Sequence, residues 1–258
     1  MNQLVSTEWL EKNLDKVKIL DASWHLPNID RNALEEYKLD HITNSIFFNI
    51  DKYSNQNTNL PHMLPSTKEW ENIVSSLGIN NSEHVIVYDN SDVFSSCRVW
   101  YAFLYFGHNP DLISVLDGSF KKWKDEKRSI SKEIKKISRS NYTAKENLQL
   151  VLNKDQINRN IINKEFQLVD ARGEKRFLGL QTEPRKELKS GNINGSKNLP
   201  FQELINKGTR TLKKKEELIN IFKDRKILID QKIAFTCGSG ITACILGLAN
   251  SIISGKKP

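Results

Sequence analysis

The chain has 258 residues, with 39 Lys and Arg against 31 Asp and Glu for a formal net charge of +8, and its length suggests roughly two domains. The lysines are dispersed, and "LKKKEEL" (212–218) mixes both signs as a solvated helix face does, so the charge describes a basic surface rather than a nucleic-acid reader. No apolar run approaches the roughly 18–20 residues needed to span a bilayer, and three cysteines without a C-x-x-C pair argue against a disulfide framework or a zinc site.

The first segment, "MNQLVSTEWLEKNLDKVKIL", is amphipathic and carries Glu8, Glu11 and Asp15. It reads as neither signal nor transit peptide, which predicts a protein of the cytoplasm or of a matrix-like interior. A short β-like run, "VKILDASW" (17–24), follows, then "HITNSIFFNI" (41–50) and an amphipathic helix over "STKEWENIVSSLG" (66–78). "VIVYDNSDVFSSCRVWYAFLYFG" (85–107) reads as strand, loop, apolar helix and glycine, and "HNPDLISVLDGSFKKW" (108–123) adds a strand and a short helix. A charged, polar stretch then leads to "FQLVDARG" (166–173), "NINGSKNLPF" (192–201), a helix over "KKEELINIFKD" (214–224), and finally "IAFTCGSGITACILGLANSIISG" (233–255).

These pieces recur in order. Asp21 and Asp170 lie 149 positions apart, the x-Ile-x-x-Ser segments 151, and the strand–loop–helix segments 148, which sets Asp89 against Cys237. Such spacing predicts a tandem duplication: residues 1–125, a linker over 126–147, and 148–258. Alternating strands and helices predict an α/β fold in which each half is a mainly parallel sheet flanked by helices on both faces. Ligands of such sheets bind beyond the carboxyl ends of the strands, where the Cys237 loop falls. After Gly255 only "KKP" remains, with no counterpart of residues 112–123, so the second half reads as truncated by about one strand and one turn.

In "TCGSGITAC" (236–244), a glycine-containing loop precedes a helix N-terminus, a setting in which backbone amides converge on an anion and favour the thiolate form of a cysteine. Gly238 and Gly240 permit the tight backbone, and Ser239 and Thr242 offer hydroxyls. A structural cysteine among small residues is the plainer alternative. A cysteine phosphatase is excluded, because no arginine follows Cys237 to bind a phosphate.

"CGSGITAC" resembles the active loop of the two-domain rhodanese-like sulfurtransferases, within them the 3-mercaptopyruvate type. "VDARGEKRFLGLQTEPR" (169–185), "FFNIDKYSNQNTNLPHMLP" (47–65), "RVWYAFLYFGH" (98–108) and "VLDGSFKKW" (115–123) are similar to further signatures of that family. The resemblance covers nearly the whole chain and implies tandem rhodanese-like domains, the first non-catalytic. It implies that Cys237 takes sulfur from 3-mercaptopyruvate as a persulfide and passes it to a thiol such as thioredoxin or glutathione, or to cyanide. Arg176 and Arg185 would bind the donor's carboxylate and keto oxygen, beside loop residues Gly238, Gly240, Ile241 and Thr242. Ser239, His62 and Asp51 would form a proton relay; His62 and Asp51 come from the first half, so the resemblance also implies a site in the cleft between the halves. Asn49 departs from the family pattern, which has an aspartate there. No cofactor, metal, nucleic acid or membrane is called for.

Taken singly, the same residues have plainer readings. His62 could be a loop histidine, Asp51 a turn or cap residue, and Arg176 and Arg185 surface groups paired with Glu174 and Glu183. Cys97 and Cys244 read as packed thiols, with redox control as the alternative for Cys244, Trp9, Trp24, Trp70 and Trp123 as core or staple aromatics, and Arg98 as interface support. The runner-up functions are a thiosulfate sulfurtransferase and a catalytically silent sulfur-carrier or interaction module.

Overall fold

The computed structural model describes residues 3–184 and 189–256; the expected substrate arginine Arg185 lies outside them. The chain divides into two compact units, residues 1–147 with Lys207–Thr211, and residues 148–206 with 212–258.

The first unit's strands are β1 (Leu4–Val5), β2 (Lys18–Asp21), β3 (His41–Ile42), β4 (Ser45–Phe47), β5 (Val85–Tyr88), β6 (Ile113–Leu116) and β7 (Ile130–Ser131). Its helices are α1 (Thr7–Glu11), α2 (Ala33–Leu39), α3 (Ile50–Tyr53), α4 (Thr67–Ser76), α5 (Ser96–Tyr105) and α6 (Ser119–Asp125). Five strands form a parallel sheet in the order β1-β6-β5-β2-β4. Every residue of β5 and β6 is buried, as continuous apolar runs in a covered parallel sheet require. The pleat sends Ile19, Ile86 and Tyr88 into one core with Leu10, Phe120 and Trp123 from α1 and α6. Trp70 of α4 stacks on Phe106 and meets Phe103 of α5 edge-on. A reciprocal capping box between Ser66 and Glu69 starts α4, satisfying amides that the helix leaves unpaired.

The stretch 126–147, read from the sequence as a linker, runs along the first unit. β7 pairs antiparallel with β3. Ser140 N–H donates to the Ser75 carbonyl at 2.9 Å, Lys145 N–H to Phe106 at 3.0 Å and Asn147 N–H to Tyr105 at 2.7 Å. Gly107 is where this path demands glycine: its φ is +79°, and a Cβ there would lie 2.6 Å from the Lys145 carbonyl oxygen.

At the end of β2, Asp21 is buried and accepts from the amide and hydroxyl of Ser23. Burial pushes its carboxyl up from 3.8 to about 6, against the pull of those hydrogen bonds. The folded state therefore holds this proton longer than the unfolded chain. Its contribution to stability is complete below the unfolded value and is lost as pH rises through about 6. The loss amounts to about 3 kcal/mol. Chemical denaturation of Asp21→Asn and the wild type at several pH values is expected to show the variant gaining relative stability between pH 4 and 7, by roughly this amount. A difference independent of pH would refute it.

The second unit contains α7 (Lys154–Asn163), β8 (Gln167–Asp170), α8 (Glu174–Phe177), β9 (Lys197–Asn198), α9 (Lys215–Asp224), β10 (Ile233–Thr236) and α10 (Ala243–Ser254). Its parallel sheet has the order β10-β8-β9, the same sequence of partners as β5-β2-β4 in the first unit. α7 starts on a capping box of Asn153 and Gln156. α9 and α10 pack together, with Leu218, Phe222, Leu246 and Leu248 buried.

Candidate active site

β10 ends at Thr236 and α10 begins at Ala243. Between them, Cys237 is half-buried, and the amide of Gly240 donates to its Sγ at 3.1 Å. Gly240 adopts φ +78°, a conformation that costs an L residue energy and glycine none. Of the amides expected to converge on the sulfur, this is the one the geometry supplies as a hydrogen bond among the described residues. The loop closes into the helix through Cys244 N–H to Ile241 and Ile245 N–H to Thr242. Ile241 is buried, while Gly238, Ser239 and Thr242 are half-buried. Cys244 lies inside α10 with its thiol donating to the Gly240 carbonyl at 3.2 Å, a packed position as expected.

The corresponding loop of the first unit, after β5, holds a carboxylate in place of the sulfur. Asp89 is fully buried and accepts from the amides of Ser91 and Ser96, each at 2.9 Å, and from the Ser119 hydroxyl at 3.2 Å. A side-chain acceptor built into the loop therefore already takes two of its N–H donors. Arg210 braces the loop, donating to the Ser91 carbonyl and placing its guanidinium 4.6 Å from the Phe94 ring centroid.

Also in the first unit, His62 and Asp51 meet. His62 Nε2 is 3.0 Å from Asp51 Oδ1, within hydrogen-bond reach of the carboxylate. Asp51 sits in the first turn of α3, and Asn49 caps that helix by accepting from Lys52 N–H at 2.9 Å. Asn49, which departs from the family pattern, is thus a helix cap in this chain. The His62 ring is buried although its backbone has φ +56°. Arg98 holds that backbone in place, donating to the His62 carbonyl at 2.6 Å.

Trp24 is buried, as a core or staple aromatic should be, but sequence reasoning missed its place beside the pair. Its indole N–H reaches both Asp51 oxygens at 3.0 Å, and its ring meets His62 edge-on at 4.8 Å. The signal was available: a mostly buried tryptophan needs an acceptor for its N–H.

The connection from β8 to β9 carries the remaining site residues. Arg176, the expected carboxylate-binding residue, donates through Nε and Nη2 to Glu183. Arg172, which the sequence did not single out, donates to Asp170, Glu183 and the Gly191 carbonyl. Burial raises the Glu183 carboxyl, but Arg176 and Arg172 outweigh it and hold the group below its ordinary value. Of the plainer pairings, Arg176 with Glu183 is thus present. Cys237, Ser239 and Arg176 belong to the second unit, Asp51 and His62 to the first. Among the described residues no group of His, Cys, Asp or Glu is arranged to hold a metal ion, and no helix is long and apolar enough to cross a membrane.

Known proteins are similar to this chain in sequence and fold. The family model of the rhodanese-like domain matches residues 6–126. Thiosulfate/3-mercaptopyruvate sulfurtransferase 2 of Arabidopsis thaliana is 40% identical over 95% of this chain and 78% of its own length. The 3-mercaptopyruvate sulfurtransferase of Mus musculus is 37% identical over 98% of this chain and 87% of its own. The crystal structure of SseA, a 3-mercaptopyruvate sulfotransferase of Escherichia coli, superimposes with a TM-score of 0.89 at 30% identity, covering 98% of this chain and 95% of that one. With two parallel-sheet units, a cysteine loop at a strand end and relatives matched along 78–95% of their own length, the chain belongs to the two-domain rhodanese-like sulfurtransferases.

Proposed function

We propose that this sulfurtransferase takes its sulfur from 3-mercaptopyruvate. The observation that carries the reading is the Cys237 loop: its sulfur accepts a backbone amide ahead of a helix, and positions 238–243 contain no Lys or Arg. A doubly charged donor such as thiosulfate is served by cations beside the sulfur, whereas a neutral loop suits a donor whose charge lies on a remote carboxylate.

In this reading the Cys237 thiolate attacks the donor sulfur, forming the S–S bond as the C–S bond breaks. The bonding pair leaves as the enolate of pyruvate, and the donor's thiol proton passes to the enolate carbon. Ser239, His62 and Asp51 carry that proton, with Trp24 and Arg98 holding the pair in place. Arg176 and Arg185 bind the carboxylate and the developing enolate oxygen, with Gly238, Gly240, Ile241 and Thr242 lining the donor. A thiolate acceptor or cyanide then removes the outer sulfur and restores the Cys237 thiolate. The catalytic half is 148–258, and the first half, with Asp89 at the matching position, forms no persulfide. A cytoplasmic setting agrees with cysteines that are thiols rather than disulfides.

Steady-state comparison of the two donors tests the assignment. 3-Mercaptopyruvate is expected to exceed thiosulfate in kcat/KM by roughly tenfold or more. The reverse order would favour the thiosulfate reading, which the dual name of the Arabidopsis relative keeps in view. Activity with neither donor would favour a silent carrier module.

A further inference from the structure

Arg176 has a supporting chain of its own, running back to the sheet beside the nucleophile. Asp170 is the last residue of β8 and pairs in register with Thr236, the residue before Cys237. Arg172 grips both Asp170 oxygens, through Nε at 3.1 Å and Nη2 at 2.7 Å, and also the Gly191 carbonyl at 2.6 Å. From there Arg172 Nη1 reaches Glu183 Oε1 at 2.7 Å. Glu183 Oε1 also takes Arg176 Nε at 3.3 Å, while Oε2 takes Arg176 Nη2. The Glu183 side chain is 2% exposed and that of Arg176 24%. A carboxylate buried to this degree persists only if paired, and here two guanidinium groups share it.

The geometry of the shared bond matters. Glu183 takes Arg176 from the side, along its Nε–Nη2 edge. A planar guanidinium has a second fork at its outer end, between Nη1 and Nη2, that matches a carboxylate. Side-on capture fixes the plane of the group and leaves that outer fork for a second anion.

We propose that Glu183 is a positioning residue for the sulfur donor: anchored by Arg172 to the β8–β10 rung before Cys237, it aims the outer fork of Arg176 at the donor's carboxylate. This rests on the reading of Arg176 as the carboxylate-binding residue. An arginine without such a brace samples many rotamers and must be ordered anew each time the donor binds. The brace therefore acts on donor affinity rather than on the chemistry at sulfur.

The test is a double-mutant cycle of Glu183→Gln and Arg176→Ala, with KM and kcat for 3-mercaptopyruvate and the melting temperature of each variant. Glutamine keeps the size but turns an N–H₂ group or a neutral oxygen toward the guanidinium. E183Q is expected to raise KM on the order of tenfold or more, with kcat changed only a few-fold. In the R176A background E183Q should add no further loss, because its target is gone. Glu183→Asp, which keeps the charge at shorter reach, should recover part of the affinity. Effects that multiply across the cycle would mean that Glu183 acts on the fold alone, and would overturn the proposal. If E183Q does not fold, the cycle is run with E183D under the same criterion. A raised KM in R176A beside an unchanged one in E183Q removes only the positioning role. An unchanged KM in R176A removes the carboxylate-binding reading, and the proposal with it.

Discussion

Cys237→Ser is expected to abolish sulfur transfer. Intact-mass measurement after 3-mercaptopyruvate is added should show wild-type protein heavier by one sulfur atom and the variant unchanged. A serine hydroxyl fits the half-buried site at the end of β10 and can accept the Gly240 amide, so the loop should keep its shape. It cannot replace the thiolate, since an alkoxide is not formed at neutral pH and attack on the donor's sulfur needs a soft nucleophile. Losing the nucleophile of a covalent mechanism costs on the order of 10³–10⁶ in kcat. Circular dichroism confirms that the variant folds. A folded wild type that gains no sulfur would sink the enzyme reading in favour of a silent module, and a gain that survives in C237S would move the nucleophile elsewhere.

The second large effect is on stability. Trp123 of α6 is fully buried in the core that α1 and α6 build on the sheet, among Leu10, Ile86, Tyr88 and Phe120. Its indole N–H donates to the Ser129 carbonyl at 2.9 Å, tying α6 to the start of the segment that leads to β7. Arg128 lies 5.8 Å from the ring centroid. Trp123→Ala removes the ring, leaves a cavity and strands the Ser129 acceptor, which together cost about 3–5 kcal/mol. Against a total stability of about 5–15 kcal/mol, that is a large fraction. Urea denaturation should show a matching fall in midpoint, with a smaller fall for Trp123→Phe, which keeps most of the packing. An unchanged midpoint in W123A would mean that this core does not limit stability.

Much of this molecule is legible in its sequence because its determinants are local. Runs such as "VIVY" are apolar at every position and must be covered on both faces, so the strands could be read directly, and their alternation with helices implied a mainly parallel sheet, though not the order of its strands. Capping pairs such as Ser66 with Glu69 mark helix starts within four residues. The cysteine loop was visible as a small-residue turn between strand and helix, but that pattern also fits a structural cysteine, and it took the further motifs of the resemblance to choose between the two.

What escaped is what depends on partners far along the chain. The residues of 126–147 carry charge and little apolar periodicity, so they read as a linker. Their attachment to the first unit comes from backbone hydrogen bonds, from side-chain pairs such as Thr67 with Glu146 and Arg139 with Asn72, and from the buried Tyr142, and none of these leaves a periodic pattern. Trp24 read as core because burial is common to all tryptophans; its hydrogen bonds to Asp51, 27 positions away, required the folded first unit. Arg172 looked like any charged residue after a strand. Only folding showed that it joins Asp170 to Glu183, and through Glu183 to Arg176.

The sequence by itself thus determined the α/β class, the nucleophile's setting and the kinds of side chain available for the chemistry, because periodicity, turns and helix starts are properties of neighbouring residues. Tertiary structure decided which of those side chains are held still. A hydrogen bond between distant residues has no sequence spacing of its own, and exists only once burial has brought donor and acceptor together.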